Sequence, residues 1–318
     1  MGTMNNVRSW LARGRYFKLP QLQGRRRLAG VVVHDDVGAF DIKNIRVTRC
    51  AVDIGTRFRA YLGSRDDRCV LLVGSGMGCT GSSIIAHELA LQAKGVPILK
   101  IGTCVSMHPS YEVGTILIPQ WAVADEGVTE WDGRIRQTTR VGAPHIREVF
   151  TNRTAVAAHR SLRRKWSSHI EGCDCLRRRV ANTNCQIAVW SSDAFYPLLL
   201  RPDFVEYLAQ GQGHMIQLRG DGCRRKVAKV LRGAPARNCK RRPRLAAWDM
   251  ECAALFSAGD AGRLEVAAGL VVSWSSKHWS DIGRRGSLSR TPSEREMANK
   301  TEAHLIRMAI DCLLTSDE

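Results

Sequence analysis

The stretch VGSGMGCTGSSIIAHEL, Val73–Leu89, decides the fold. The apolar run Cys69–Val73 leads into it and reads as a strand, which enters a glycine turn at Gly74-Ser75-Gly76-Met77-Gly78. From Ser82 to Ala93 the apolar residues Ile85, Leu89 and Ala93 recur at helical spacing, and Gly95-Val96-Pro97 stops the helix. Pro97–Ile101 is the next strand, and Thr115–Ile118, after Gly114, is another. Strand, helix and strand joined by short connections make an α/β pattern. A glycine turn between strand and helix also brings backbone N–H groups within reach of an anion, which makes Gly76 a candidate phosphate contact. A dinucleotide fingerprint would need a glycine at Cys79 and an acid near the end of the next strand, where Lys100 stands.

Composition bounds the rest. The chain has 318 residues, of which 44% are hydrophobic, enough for a substantial core. No apolar run is long enough to span a membrane. Eleven cysteines without a regular frame, and no apolar signal core at the N-terminus, point to reduced thiols in a cytoplasmic protein. The net charge of +18 is concentrated: residues 133–245 hold 24 Lys+Arg and 7 Asp+Glu, whereas the rest of the chain is nearly balanced. Within that region 222–244 carries ten basic residues and no aromatic side chain for base stacking, so it reads as a solvated loop and not as a nucleic-acid surface. Cys173 and Cys175, with Cys185 and His169, lack the C-x-x-C spacing of a zinc pair, and no metal is expected.

Three segments follow from this patterning. Residues 1–57 form a basic N-terminal arm with the first elements. Residues 58–318 form one α/β domain, its core made by 58–132, 186–204 and 245–315. Residues 133–185 and 209–244, rich in Arg, Cys and Gly, are irregular excursions from it. A helix is expected over Trp248–Gly259 and a strand over Ala267–Ser273. The C-terminal helix is expected to open with a Ser293/Glu296 capping box and to carry Met297, Leu305, Met308, Ile310 and Leu313 on its apolar stripe.

Together with Lys100-Ile101-Gly102-Thr103-Cys104, the opening stretch resembles the nucleoside phosphorylase family, whose pattern is a glycine turn, a helix and a strand ending in R-I-G-T. Four further segments match in order: Gly114–Gly127 (GTILIPQWAVADEG), Trp190–Pro197 (WSSDAFYP, similar to S-S-D-x-F-Y-P), Asp249-Met250-Glu251 (similar to E-M-E) and Glu296–Leu314. The last resembles the terminal helix of the uridine phosphorylase branch. The resemblance implies a single domain built on a mixed, twisted β-sheet flanked by helices. It implies phosphorolysis of a nucleoside to free base and ribose 1-phosphate, with inorganic phosphate as co-substrate and no cofactor, in a homodimer or higher oligomer.

Site roles follow from the same resemblance. Phosphate falls to Lys100, Thr103 and Gly76, and to Arg25 if Leu19–Arg25 stands for the family's G-D-P-x-R loop. Ribose falls to Met250 and to Glu251, whose carboxylate can accept from two vicinal hydroxyls and favour positive charge on the sugar. The base falls to Phe195, by stacking, and to Arg201. Glu251 and Arg201 are thus the catalytic candidates. Departures from the pattern are Lys100 for Arg, Val105 in a glycine position, Leu199 for the Gln that partners Arg201, and Trp274 for the purine branch's Asp or the uridine branch's Arg. With no acid to protonate a purine, uridine is the expected substrate. The same departures support the alternative of a catalytically impaired member that binds a ligand or partner.

Overall fold

The computed structural model describes residue 19 and residues 27–36, 48–52, 58–93, 95–107, 110–125, 154–181, 187–192, 244–275 and 290–315. The strands are β1 (Arg27–His34), β2 (Thr48–Val52), β3 (Ala60–Arg65), β4 (Arg68–Gly74), β5 (Ile98–Ser106), β6 (Ile116–Leu117), β7 (Trp121–Asp125), β8 (Thr154–Ala157), β9 (Ile187–Ser192), β10 (Arg244–Asp249) and β11 (Val266–Trp274). The helices are α1 (Cys79–Gln92), α2 (Arg160–Glu171), α3 (Asp174–Arg177), α4 (Cys252–Gly262) and α5 (Pro292–Leu314). The strands form one mixed sheet in the order β2-β3-β4-β1-β5-β10-β9-β7-β8, with β11 on β5 and β6 on β11. This is the α/β architecture expected.

Alternation along the central strands builds two cores. Val31 and Val33 of β1, Leu71 and Val73 of β4, and Ile98 of β5 face Ile85 and Leu89 of α1 and Leu255 and Phe256 of α4. Val32, Val70, Leu72, Leu99 and Ile101 face the other way, onto Leu162 and Trp166 of α2 and Leu305 and Ile310 of α5. Strands buried on both faces read as continuous apolar runs, as in VVV at 31–33 and VLLV at 70–73. Close helix packing depends on small residues: a Cβ at Gly262 would lie 2.4 Å from Ala90 Cβ, where α4 meets α1.

Several sequence expectations change. The helix expected over Trp248–Gly259 begins only at Cys252, because Arg244–Asp249 pairs in parallel with β9 and Trp248 stacks on Trp190 with ring centroids 5.2 Å apart. The capping box of α5 is Thr291/Glu294, two residues before the expected Ser293/Glu296. Glu294 N–H donates to Thr291 Oγ1, Thr291 N–H donates to Glu294 Oε2, and Pro292 begins the helix. β1, inside the basic first 57 residues, lies in the middle of the sheet between β4 and β5.

The largest correction concerns 133–185. Its described part, 154–181, is ordered: β8 pairs with β7, and α2 lays Leu162, Trp166 and Ile170 on the sheet while Arg160 and Arg164 face solvent. The apolar stripe i, i+4, i+8 of this helix is masked in composition by the charges around it. Trp166 is fully buried against β11, so close that a Cβ at Gly269 would lie 2.9 Å from its Nε1. The other excursion, 209–244, lies outside the described residues except for Arg244, which opens β10.

Trp166→Ala is therefore expected to destabilise the protein by about 3–5 kcal/mol, the usual cost of emptying a buried tryptophan site. Urea denaturation measures it, and a loss below about 1 kcal/mol would show that α2 is the detachable excursion the composition suggested.

Candidate active site

The site is set by a fork in the sheet. β11 pairs along one edge of β5 from Ile98 to Val105. The other edge of β5 is shared: β1 pairs in parallel with residues 98–100, and β10 pairs antiparallel with residues 105–106. Between these contacts β1 and β10 diverge and open a crevice over residues 101–104, the kind of strand divergence where ligands bind in α/β proteins. By register the end of β1 brings His34 and Asp35 to one side of the crevice, and the end of β10 brings Asp249 to the other.

Lys100 reaches into this crevice although it is 1% exposed. Its Nζ lies 3.5 Å from Glu251 Oε2. A Cβ at Gly102, on the same face two residues on, would lie 3.0 Å from that Nζ and 3.8 Å from Asp35 Oδ1, so the glycine keeps room for the ammonium. Burial disfavours the charged form of Lys100, but the carboxylates of Glu251 and Asp35 outweigh it, and the lysine is held above its usual range as a firm ammonium. Burial likewise pushes Asp35 up, but Lys100 and His34 more than offset it, leaving Asp35 lowered. Glu251 is raised by its burial, against the pull of Lys100 and of the Gly78 N–H.

Glu251 ties three elements together. It stands at the N-terminus of α4, and its Oε1 accepts a 2.7 Å hydrogen bond from Gly78 N–H in the glycine turn before α1. Gly78 (φ 98°) and Gly76 (φ 70°) adopt backbone angles that side chains disfavour. The rest of the turn is bonded to the end of β1: Ser75 N–H donates to the His34 carbonyl and Gly76 N–H to the Asp35 carbonyl. Asp249 supports Glu251 from behind. Its Oδ2 accepts from the N–H groups of Glu251 and Cys252, and its Oδ1 accepts from the Ser191 hydroxyl at 2.5 Å. The half-buried Met250 is fixed through its carbonyl, which accepts from the Cys79 thiol at 2.8 Å.

Of the residues singled out from sequence, the structure thus brings together Lys100, Glu251, Met250 and the glycine turn. Thr103 is half-buried, and strand alternation puts it on the opposite face from Lys100, the face of His34 and Glu302. There His34 Nδ1 lies 3.0 Å from Asp35 Oδ1 and 2.9 Å from the Asp36 N, and Nε2 pairs with Glu302 Oε1 at 3.0 Å. Arg25, Phe195, Leu199 and Arg201 lie outside the described residues. Arg27, two residues after Arg25, opens β1 at the end remote from the crevice. Val105 is buried at the fork itself.

Asp35 and Arg290 are neighbours of the site that the sequence did not single out, and Asp249 entered only as the first residue of the E-M-E match. Asp35 and Asp249 required knowledge of strand ends. Arg290 sits beyond β11, with its guanidinium 4.6 Å from the Trp274 ring and Nη1 donating to the Ser273 carbonyl. Only the fold brings it to Trp274.

Replacing Lys100 by Met would leave buried carboxylates without their cation. The expected cost is about 3–5 kcal/mol at neutral pH. It should shrink in mildly acidic solution, as Glu251 takes up a proton, and be partly restored by adding Glu251→Gln. Urea denaturation at the two pH values checks this, and an unchanged stability would contradict the pairing.

With the geometry known, comparison places the chain among characterised proteins. Its fold superimposes on uridine phosphorylase from Vibrio fischeri (TM-score 0.57, 16% identity, 90% of this chain and 91% of that one). It also superimposes on a Trypanosoma brucei nucleoside phosphorylase described as showing uridine phosphorylase activity (TM-score 0.61, 14% identity, 94% and 98%). A 65-residue stretch is 38% identical to a DeoD-type purine nucleoside phosphorylase of Hahella chejuensis, covering 20% of this chain and 28% of that protein. The profile of the phosphorylase superfamily matches residues 30–307, most of the chain, and the protein belongs to that superfamily.

Proposed function

We propose that the protein is a nucleoside phosphorylase, a pentosyltransferase that cleaves the N-glycosidic bond of a nucleoside with inorganic phosphate, uridine being its preferred substrate. The observation that carries this reading is the convergence of the Lys100 ammonium and the Glu251 carboxylate on the glycine turn, within 3.5 Å of each other and almost out of water. One charge suits an anionic nucleophile and the other suits a cationic sugar centre. As the C1′–N bond breaks, C1′ gains positive character, which Glu251 stabilises while it accepts hydrogen bonds from the ribose hydroxyls. A phosphate oxygen held near Lys100 forms the new C1′–O bond. The base leaves with the electron pair and takes up the proton that phosphate gives up. Met250 packs beneath the sugar, Phe195 stacks on the base, and Arg201 stabilises its developing charge. The reaction needs no cofactor, and a cytoplasmic homodimer or higher oligomer is the expected form.

A second candidate for the phosphate loop adjoins Lys100. β1 runs into His34-Asp35-Asp36 beside Lys100. In sequence, His34-Asp35-Asp36 can stand for the family's G-D-P as an alternative to Gln21-Leu22-Gln23, and the loop arginine's position then falls on Gly38 and not on Arg25. Thr103 contributes through its backbone and strand edge at the crevice, and Gly76 shapes the turn. Arg290, beside Trp274, supplies a guanidinium near the position where the uridine branch carries its own.

A second reading is favoured by one observation. Among the described residues at this contact, the Lys100 ammonium already faces Glu251, Asp35 and Asp249, so a phosphate dianion there meets more negative than positive charge. A member that binds nucleoside without turning it over would have this arrangement.

A phosphate-dependent fall in the ultraviolet absorbance of uridine is expected, faster than cleavage of inosine or adenosine and abolished by Glu251→Ala. Arg201→Ala should cost about 2–4 kcal/mol of transition-state stabilisation, the range for one oxyanion-type donor. Faster cleavage of inosine would reject the base assignment. Absence of ribose 1-phosphate from every nucleoside would decide for the second reading.

A further inference from the structure

On the α5 side of the sheet, opposite the face that carries Lys100, two thiols and an imidazole meet. Cys173 caps α3, Cys175 lies in the first turn of α3, and His304 projects from the middle of α5. Cys173 Sγ is 3.8 Å from His304 Nε2, Cys175 Sγ is 3.6 Å from Nδ1 and 3.7 Å from Nε2, and the two sulfurs are 2.8 Å apart. All three ligand atoms lie within 4.8 Å of one another. The Cys-x-Cys spacing gave no zinc signal in the sequence, since its third member comes from a helix 129 residues away. His169, weighed as a partner from sequence, is not in this group.

We propose that Cys173, Cys175 and His304 form a zinc site that staples α3 to α5. Metal–sulfur and metal–nitrogen bonds of about 2.3 and 2.0–2.1 Å in a tetrahedron require sulfur–nitrogen separations of about 3.6 Å, which these residues already have. They require about 3.8 Å between the sulfurs, an opening of about 1 Å that the exposed Cys175 can make by rotating about its Cα–Cβ bond. Two thiolates and one imidazole are a soft to borderline donor set, which suits zinc and excludes magnesium or calcium. The fourth position opens on a cavity of about 450 Å³ lined by Arg179, Glu296, Lys300 and Thr301, so a water molecule completes the tetrahedron. Binding releases the two thiol protons to solvent and leaves the net charge of the centre at zero. The other thiols described, Cys69, Cys79, Cys104, Cys252 and Cys312, are buried in the core and are not placed to compete.

The test uses the full-length protein, reduced and freed of metal by chelation. Cobalt(II) is the probe: one equivalent should produce a thiolate-to-cobalt charge-transfer band and the intense visible bands of tetrahedral cobalt, both removed by one equivalent of zinc. Either Cys175→Ser or His304→Gln should lower zinc affinity by about 100-fold or more, since loss of a ligand exceeds the effect of losing an outer-shell partner. A second measurement does not depend on variants. Zinc should protect Cys173 and Cys175 from alkylation, read by peptide mass spectrometry. The proposal is overturned if the reduced protein binds no cobalt, if His304→Gln binds zinc as tightly as the parent, or if zinc protects other cysteines while these two stay reactive.

Discussion

A buried ammonium has to be neutralised, and much of the site is arranged around that need. Taking Lys100 out of water costs several kcal/mol unless carboxylates surround it. Glu251 answers from the start of α4 and Asp35 from the end of β1. Because Glu251 also accepts from Gly78 N–H, the charge pair locks the glycine turn of α1 to the β10–α4 junction. Asp249 then fixes that junction to β9 through Ser191. The divergence of β1 from β10 along β5 provides the space, and Gly102 keeps it open.

This arrangement explains why an altered residue can coexist with an intact frame. A lysine retains the positive charge of the family's arginine without its planar fork, so it serves a carboxylate pair as well as a bound anion. The carboxylate used to hold the lysine is the same one proposed to hold ribose. Structural and catalytic demands therefore fall on one residue, and the balance between them is the balance between an active enzyme and a binding protein.

The strand–turn–helix–strand around Val73–Leu89 was legible because its glycines and apolar periods agree with each other. Ala267–Ser273 was legible as a buried run, and the structure extends it by one residue at each end. Where local composition and tertiary context disagree, the sequence misleads. Arg160–Glu171 is dominated by charge, and only three apolar residues per three turns report the face that covers β11. Trp248 looked helical because alanines surround it, yet stacking on Trp190 and pairing with β9 keep it in a strand. Glu251 and Lys100 could be chosen from motif resemblance, but not their mutual contact, which joins residues far apart in the chain. Asp35, Arg290 and the His304 partner of Cys173 and Cys175 were invisible for the same reason.

Lys100 is the proposed shared partner of Glu251 and of phosphate, so the two carry competing negative charge. Calorimetric titration of inorganic phosphate into the parent protein and into Glu251→Gln measures that competition directly. If Lys100 is the phosphate anchor, the neutral variant binds phosphate more tightly than the parent. Equal or weaker binding by Glu251→Gln would contradict it and leave Lys100 as a structural cation alone.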